Sequence, residues 1–350
     1  MYKGTGISKD QLSNEGEPCI LYGELYTKYK SETIKEVISK TNIDSTKLVR
    51  SKANDVIIPC SGETAEDIAA ARCVLNGNIL LGGDLNIIRF YGYDGSFMSY
   101  QLNGKRKYDI AKVAQGVSVV HLYGEHLREV KTFNPCLEEQ KKVAKLLSLL
   151  DERISTQNKI IEDLKKLKSA ISERLFKDAK GDVITLSEIC DIVKGEQING
   201  ELLSEHGMYY VMNGGTDPSG YYDNYNVEAY TISISEGGNS CGYVQFNKCP
   251  FWCGGHCYSI QNIADNINNL YLYHYLKTEE KAIMKLRIGS GLPNIQKKDL
   301  ATFKIKLPTS KQQKAISDIL SLLEQKAEIE EQILIAMQDE KQYLLRQMFI

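Results

Sequence analysis

The feature that most constrains this chain is an internal repeat. Residues 135–176 (P-C-L-E-E-Q-K-K-V-A-K-L-L-S-L-L, onward to L-F) align without a gap on residues 308–349 (P-T-S-K-Q-Q-K-A-I-S-D-I-L-S-L-L, onward to M-F). Ten of the 42 pairs are identical, including Pro135/Pro308, Gln140/Gln313, Lys141/Lys314, Leu147/Leu320 through Leu150/Leu323, Lys168/Lys341 and Phe176/Phe349. Neither copy contains Gly, and Pro stands only at the start, where its missing N–H does no harm. In the first copy Val143, Leu147, Leu150, Ile154, Gln157, Ile161, Leu164, Lys168, Ile171 and Leu175 recur by fours and threes. The second repeats this with Ile316, Leu320, Leu323, Ala327, Glu330, Leu334, Met337, Lys341, Leu344 and Met348. Such a seam, sustained over more than four heptads, predicts two long helices packed as a coiled coil, each about 60 Å long.

Polar interruptions in the seams suggest their orientation. In an antiparallel pair the facing residue numbers add to a constant. A constant of 498 sets Lys168 against Glu330, Gln157 against Lys341, Ile161 against Met337 and Leu150 against Met348. A parallel pairing at the repeat offset would set Lys168 against Lys341, which is repulsive. The expectation is an antiparallel coil with a pseudo-two-fold near its middle.

The segments between the helices are rich in Gly, Asn, Ser and Tyr. Apolar runs at Val56–Pro59, Ile79–Leu81, Thr231–Ser235 and Gly242–Phe246 read as short strands, and Ala65–Ala71 and Leu270–Leu286 as helices. The predicted class is α+β, two globular domains separated by two long antiparallel coiled-coil helices. The boundaries are 1–134 for the first domain, 135–180 for the first helix, 181–307 for the second domain and 308–350 for the second helix. Lys3-Gly4 matches Lys194-Gly195, yet V-I-T-L-S-E-I-C-D-I-V precedes only the second pair. By that comparison the first domain lacks its opening strand.

Composition bounds the function classes. A formal charge of −2 over 350 residues argues against a protein that coats nucleic acid by charge alone, though not against local patches such as Lys105-Arg106-Lys107 or Lys297-Lys298. No apolar run approaches the ~18 residues of a membrane span. The N-terminus lacks a signal-peptide core, so a cytoplasmic location and nine reduced cysteines are expected. Cys249, Cys253, His256 and Cys257, with Cys241 nearby, invite a zinc reading, but the usual paired C-x2-C is absent and Cys is often a small buried hydrophobe. No metal site is therefore assigned. His121-Leu-Tyr-Gly-Glu125-His126 is one residue too long for H-x-x-E-H, no P-loop occurs, and the deaminase H-x-E with P-C-x-x-C is missing. No catalytic residue is expected.

The helical motif from Pro135 with its degenerate copy from Pro308, together with I-S-E-G-G-N-S-C-G-Y-V at 234–244, F-W-C-G-G-H-C-Y at 251–258 and S-G-L-P-N-I-Q-K-K-D-L at 290–300, resembles the specificity (S) subunit of type I restriction-modification systems. I-I-P-C-S-G-E-T-A-E-D-I-A at 57–69 and L-L-G-G-D-L-N-I-I-R at 80–89 have the same character. The resemblance implies that each globular segment is a target recognition domain reading one half of a bipartite DNA sequence. It implies that the helices act as a spacer and dock two modification (methyltransferase) subunits, which motor-nuclease restriction subunits join. It implies a non-catalytic subunit without a cofactor of its own, S-adenosylmethionine, ATP and Mg belonging to the partners.

Base-reading chemistry in loops selects Ser61, Thr64, Asn86, Arg89, Lys105 and Arg106 in the first domain, and Asn213, Asn239, Arg287, Ser290, Asn294 and Lys297 in the second. Any of these can instead cap a turn. Coil and partner docking fall to Gln140, Leu147, Leu150, Ile161, Lys168, Gln313, Leu320, Glu330, Met337 and Lys341. The alternatives are a protein-interaction scaffold built on a docking rod, or a silent or truncated specificity cassette without DNA-reading activity.

Overall fold

The protein is described from a computed structural model covering residues 1–116, 119–289, 291 and 293–349. Two helices dominate it, Leu137–Asp178 and Ser310–Gln347. All twenty seam residues are buried or half-buried, while the flanking positions are largely exposed. Contacts divide the chain into two compact units. Met1–Lys159 joins Glu331–Ile350 in one, and Ile160–Glu330 forms the other. Each unit thus contains a globular part, one half of the first long helix and one half of the second.

In the first unit, an antiparallel four-stranded sheet runs in the order Tyr2–Lys3, Leu85–Ile88, Asp55–Pro59, Arg72–Val74, and Thr33–Ile34 adds in parallel at its edge. The second unit has the order Asp191–Lys194, Cys257–Gln261, Thr231–Ser235, Val244–Asn247, again antiparallel. Each unit also carries a parallel pair, Glu17–Ile20 with Leu80–Leu81 in the first and Tyr209–Met212 with Trp252–Cys253 in the second. The repeat seen in the helices therefore extends through both globular parts, where the sequences have diverged beyond direct alignment.

The short elements differ from expectation in places. The Thr231–Ser235 strand falls where expected, but its partner runs Val244–Asn247, because Gly242 takes a φ of 92° in the turn between them. The predicted helix over Ala65–Ala71 is a single turn, Ala65–Ile68, since Ala69 leaves the helical region. The predicted helix over Leu270–Leu286 is two helices, Asn269–Thr278 and Glu280–Met284. The break lies beside Glu280, whose carboxylate accepts the Val244 N–H at 2.9 Å and the Lys277 ammonium at 2.7 Å, tying the chain to the sheet.

The repeat identities have structural jobs. Gln140 Oε1 accepts the Asp94 N–H at 2.9 Å while its Nε2 donates to the Pro135 carbonyl at 2.8 Å. Gln313 does the same with the Asn268 N–H and the Pro308 carbonyl, at 2.8 and 3.0 Å. Asp94 and Asn268 are the N-caps of the helices Gly95–Asn103 and Asn269–Thr278, so each glutamine ties the start of a long helix to the start of a short one. Both are buried, so neither offers the docking surface expected of it; a carboxamide is needed there because it supplies a donor and an acceptor at once. Phe349 meets Phe97 edge-on at 5.2 Å, and Phe176 meets Tyr271 at 5.6 Å in the same way. Leu147 sits in the first unit's core with Leu345, and Leu320 lies against Phe176 and Tyr271 in the second.

The helix register departs from expectation. Lys168 pairs with Glu324 at 2.8 Å rather than with Glu330, and Lys341 pairs with Asp151 at 2.6 Å rather than with Gln157. Both pairs sum to 492 instead of 498, and Asp151 and Glu324 are equivalent in the repeat, as are Lys168 and Lys341. The globular parts decide the register. Asp151 accepts the Tyr100 hydroxyl at 2.8 Å and Glu324 accepts that of Tyr273 at 3.0 Å, while Lys341 gains a second carboxylate, Glu32, at 2.5 Å. A register chosen from the seams alone omits these contacts.

The second unit has one ladder that the first replaces. Asp182–Thr185 pairs antiparallel with Lys304–Leu307 just before Pro308. In the first unit the segment before Pro135 is held differently, since the buried Gln101 accepts the Phe133 N–H and donates to the Phe133 carbonyl, both at 2.7 Å.

Candidate nucleic-acid interface

The loops with base-reading residues converge at one end of the second unit because the strands end there together. Lys194 pairs with Tyr258, Ser235 with Cys257, and Met212 with Cys253 in the parallel pair. Glu236–Gly242 therefore leaves beside Gly254-Gly255-His256, and Asn213 beside both. Asn213 Oδ1 accepts the His256 N–H at 3.1 Å, Ser235 Oγ donates to the Gly214 carbonyl at 2.6 Å, and Gly238 N–H donates to Pro293 at 3.0 Å. Ile295 N–H closes the ring onto the Glu236 carbonyl at 2.8 Å.

One close approach fixes the sequence here. A Cβ at Gly195 would lie 2.3 Å from the Gly254 carbonyl oxygen, and one at Gly4 would lie 1.9 Å from that of Gly82. The Lys-Gly and Gly-Gly pairs of the two units are thus two halves of one backbone contact, built twice. Beneath it in the second unit lies a buried carboxylate, Glu236, which accepts Lys194 Nζ at 2.8 Å and sits 3.0 Å from the Tyr258 hydroxyl. Burial and that carboxylate push the Tyr258 hydroxyl well above the usual phenol range. The Lys194 ammonium balances the Glu236 carboxylate, and exposed polar groups surround it at Lys194, Gln197, Asn239 and His256.

Of the selected residues in this unit, Asn239, Arg287 and Lys297 are exposed and flank the loop cluster. Asn294 is half-buried; its backbone pairs with Ile288 in both directions and its side chain accepts from Gln296 at 3.0 Å. Asn213 is spent on the His256 turn. Ser290 lies outside the described residues. Sequence reasoning missed Lys194, Gln197 and His256 as exposed members of the cluster; Lys194-Gly195 had been seen only as a repeat marker.

The first unit corrects two selections. Asn86 stands in a strand at 1% exposure, its Nδ2 donating to the Leu122 carbonyl at 2.9 Å, so it is not a loop residue. Arg89 is bidentate to the buried Asp55 at 2.9 and 2.8 Å and lies over the Tyr2 ring at 4.7 Å, so its fork is already used. Thr64 caps the Ala65–Ile68 turn through the Asp67 N–H. Ser61 pairs with His121 in a two-stranded ladder. Lys105 is exposed, and Arg106 opens the Lys107–Val113 helix, 3.4 Å from Asp109.

The cysteines behave as core. Cys241, Cys253 and Cys257 are buried; burial pushes the Cys241 thiol up, and the hydrogen bond with Cys257 together with burial pushes that of Cys253 up. Cys249 is exposed. Among the described residues, no three His, Cys, Asp or Glu side chains come together as metal ligands. Among the described residues no helix is long and apolar enough to cross a membrane.

Comparison with known proteins fits this geometry. Residues 180–338 match the family model of the type I restriction modification DNA specificity domain. A putative type I specificity subunit of Mycoplasma genitalium is 33% identical over 147 residues, covering 41% of this chain and 38% of the relative. A second, from Mycoplasma pneumoniae, is 34% identical over 146 residues and covers 39% of the relative, so the matched part spans about two fifths of each. A type I restriction enzyme specificity subunit of Methanocaldococcus jannaschii is 26% identical over 319 residues, 79% of this chain and 73% of the relative. The crystal structure of a type I restriction-modification S subunit from M. genitalium covers 100% of this chain and 93% of its own, with a TM-score of 0.69 at 22% identity. A chain from a structure addressing complex assembly and conformational transition of the type I system gives 0.60 at 15% identity, covering 98% and 93%. At these identities the likeness to solved structures concerns the fold.

Proposed function

We propose that the chain is a type I restriction-modification specificity subunit, the DNA-reading, non-catalytic subunit of such a complex. Each unit reads one half of a bipartite double-stranded target. The long helices dock two modification subunits, which carry S-adenosylmethionine, and motor-nuclease subunits using ATP and Mg join them. The observation that carries the reading is the doubled module: an antiparallel four-stranded sheet, a parallel strand pair beside it and a Lys-Gly/Gly-Gly loop contact recur in both units. A chain that builds the same loop platform twice suits a target made of two parts.

The modest charge fits this division of labour. The exposed Lys194, Arg287 and Lys297 supply a few phosphate contacts, and partner subunits supply the remainder of the backbone field. Base edges fall to amides and imidazole such as Asn239, Gln197 and His256. Methylome sequencing of a host that expresses the chain with its methyltransferase tests the proposal. A bipartite adenine-methylated motif is expected; a continuous motif, or none beyond the host background, overturns it.

A further inference from the structure

A cavity of about 360 Å3 opens in the first unit between Tyr2, Lys3, Asn86, Tyr123, Glu125 and Arg128. Its volume falls within the range of small-molecule sites, roughly 300–1,000 Å3. The second unit carries an aromatic residue at the equivalent strand position. Lys3 pairs with Asn86 where Lys194 pairs with Tyr258. Asn86 Nδ2 donates to the Leu122 carbonyl at 2.9 Å, and the Tyr258 hydroxyl lies 3.1 Å from the equivalent carbonyl, Ile295. Leu122 and Ile295 are equivalent because each donates its own N–H to the residue that follows the central strand, Cys60 or Glu236. The two side chains thus reach the same backbone acceptor, one with a phenol ring between and one without.

The walls suit a planar, charged guest. Two phenol rings line the cavity, at Tyr2 and Tyr123. Tyr2 is backed by the Arg89 guanidinium at 4.7 Å, which fixes the ring. Tyr123 is flanked by His121 at 6.3 Å and, edge-on, by His126 at 5.6 Å, and His126 Nδ1 is buried without a partner among the described residues. Lys3 and Arg128 are exposed cations at the rim; the Glu125 carboxylate is the one acid among these six residues and can accept from an exocyclic amine. A Cβ at Gly124 would lie 3.3 Å from Met1 Sδ and 3.5 Å from Asn86 Oδ1, so the Met1 side chain forms part of this wall.

We propose that this cavity binds a nucleotide, its base among Tyr2, Tyr123 and Asn86 and its phosphate at Lys3 and Arg128. Stacking on aromatic rings is tolerant of base identity and is a main source of affinity for unpaired bases. The guest is either a free mononucleotide or a base turned out of a DNA strand, and both present the same chemistry.

The test uses the full chain and the variant Asn86→Tyr, which installs the ring that the second unit tolerates at the matching place. Binding of 5′-AMP is followed by NMR or calorimetry, and binding of a duplex with one unpaired adenine is compared with the fully paired duplex. Wild type binds AMP and N86Y weakens it at least about tenfold. Preference for the bulged duplex, also lost in N86Y, assigns the guest to DNA, and AMP binding without that preference assigns it to the free nucleotide. Tyr123→Ala gives the same loss if N86Y fails to fold. Absence of AMP binding at millimolar concentration with equal affinity for both duplexes overturns the proposal, and so does undiminished AMP binding in folded N86Y.

Discussion

Replacing Lys341 by Met removes one ammonium from a site that holds two carboxylates. Lys341 Nζ lies 2.5 Å from Glu32 and 2.6 Å from Asp151, and all three side chains are at most 10% exposed. Burial alone would depress the lysine's pKa, yet the two carboxylates outweigh it and hold it above its usual range. Met fills the same volume, so no cavity forms and the loss is electrostatic. Removing one partner of a buried ion pair costs about 3–5 kcal/mol, because the other charge is left buried and unpaired. Two carboxylates are stranded here, but the Arg72 guanidinium acts favourably on both and the Tyr100 hydroxyl still donates to Asp151, which argues for the lower half of that range. In a unit of this size the melting temperature should fall by roughly 10 °C. Thermal and urea unfolding of wild type and K341M at pH 7 measure the effect, and a difference below about 1 kcal/mol refutes the reasoning.

The equivalent Lys168→Met should cost less, about 1–3 kcal/mol, because one hydrogen-bonded and partly exposed carboxylate, Glu324, is involved; the same unfolding curves report it. Burial holds His274 down to about 4 against about 6.5 when unfolded. The unfolded chain therefore takes up a proton that the folded chain refuses, and stability is lost as pH falls from 6.5 towards 4, by roughly 3 kcal/mol, a slope that His274→Gln should flatten in pH-dependent melting. Gln140→Ala leaves the Asp94 N–H and the Pro135 carbonyl without their partner and should cost about 1–3 kcal/mol in denaturant titration, with Gln313→Ala matching it. If Arg287 and Lys297 contact phosphate, alanine at either should lower the salt slope of DNA binding by about one without changing the motif, measured by anisotropy with the methyltransferase present.

The long helices and their antiparallel sense were legible because a heptad seam advertises itself over forty residues. The register was not, since it depends on Tyr100, Tyr273 and Glu32, which belong to other elements. One signal was available: Asp151 and Glu324 are both acidic at equivalent repeat positions, outside the seam. The strands were legible where apolar runs were continuous, as at Thr231–Ser235, and obscure where two residues suffice to pair, as at Tyr2–Lys3. The helix Gly95–Asn103 escaped notice because it is buried nearly all round and so shows little apolar periodicity. Asn86 and Arg89 were chosen for their chemistry, and sequence carries no mark distinguishing an arginine that awaits a guanine from one that already holds Asp55.

The glutamine clasp has a mechanical consequence. In the first unit Gln140 grips the N-cap of the short helix, and Asp151, eleven residues further along, grips Tyr100 on that same helix; at 1.5 Å per residue the two grips stand about 16 Å apart. A single attachment would leave a pivot, whereas two leave only rotation about the line joining them, which the core packing of Leu147 and Leu345 blocks. The globular part cannot swivel about its helix without breaking one grip, so torque applied to the helix turns the sheet and its loops with it.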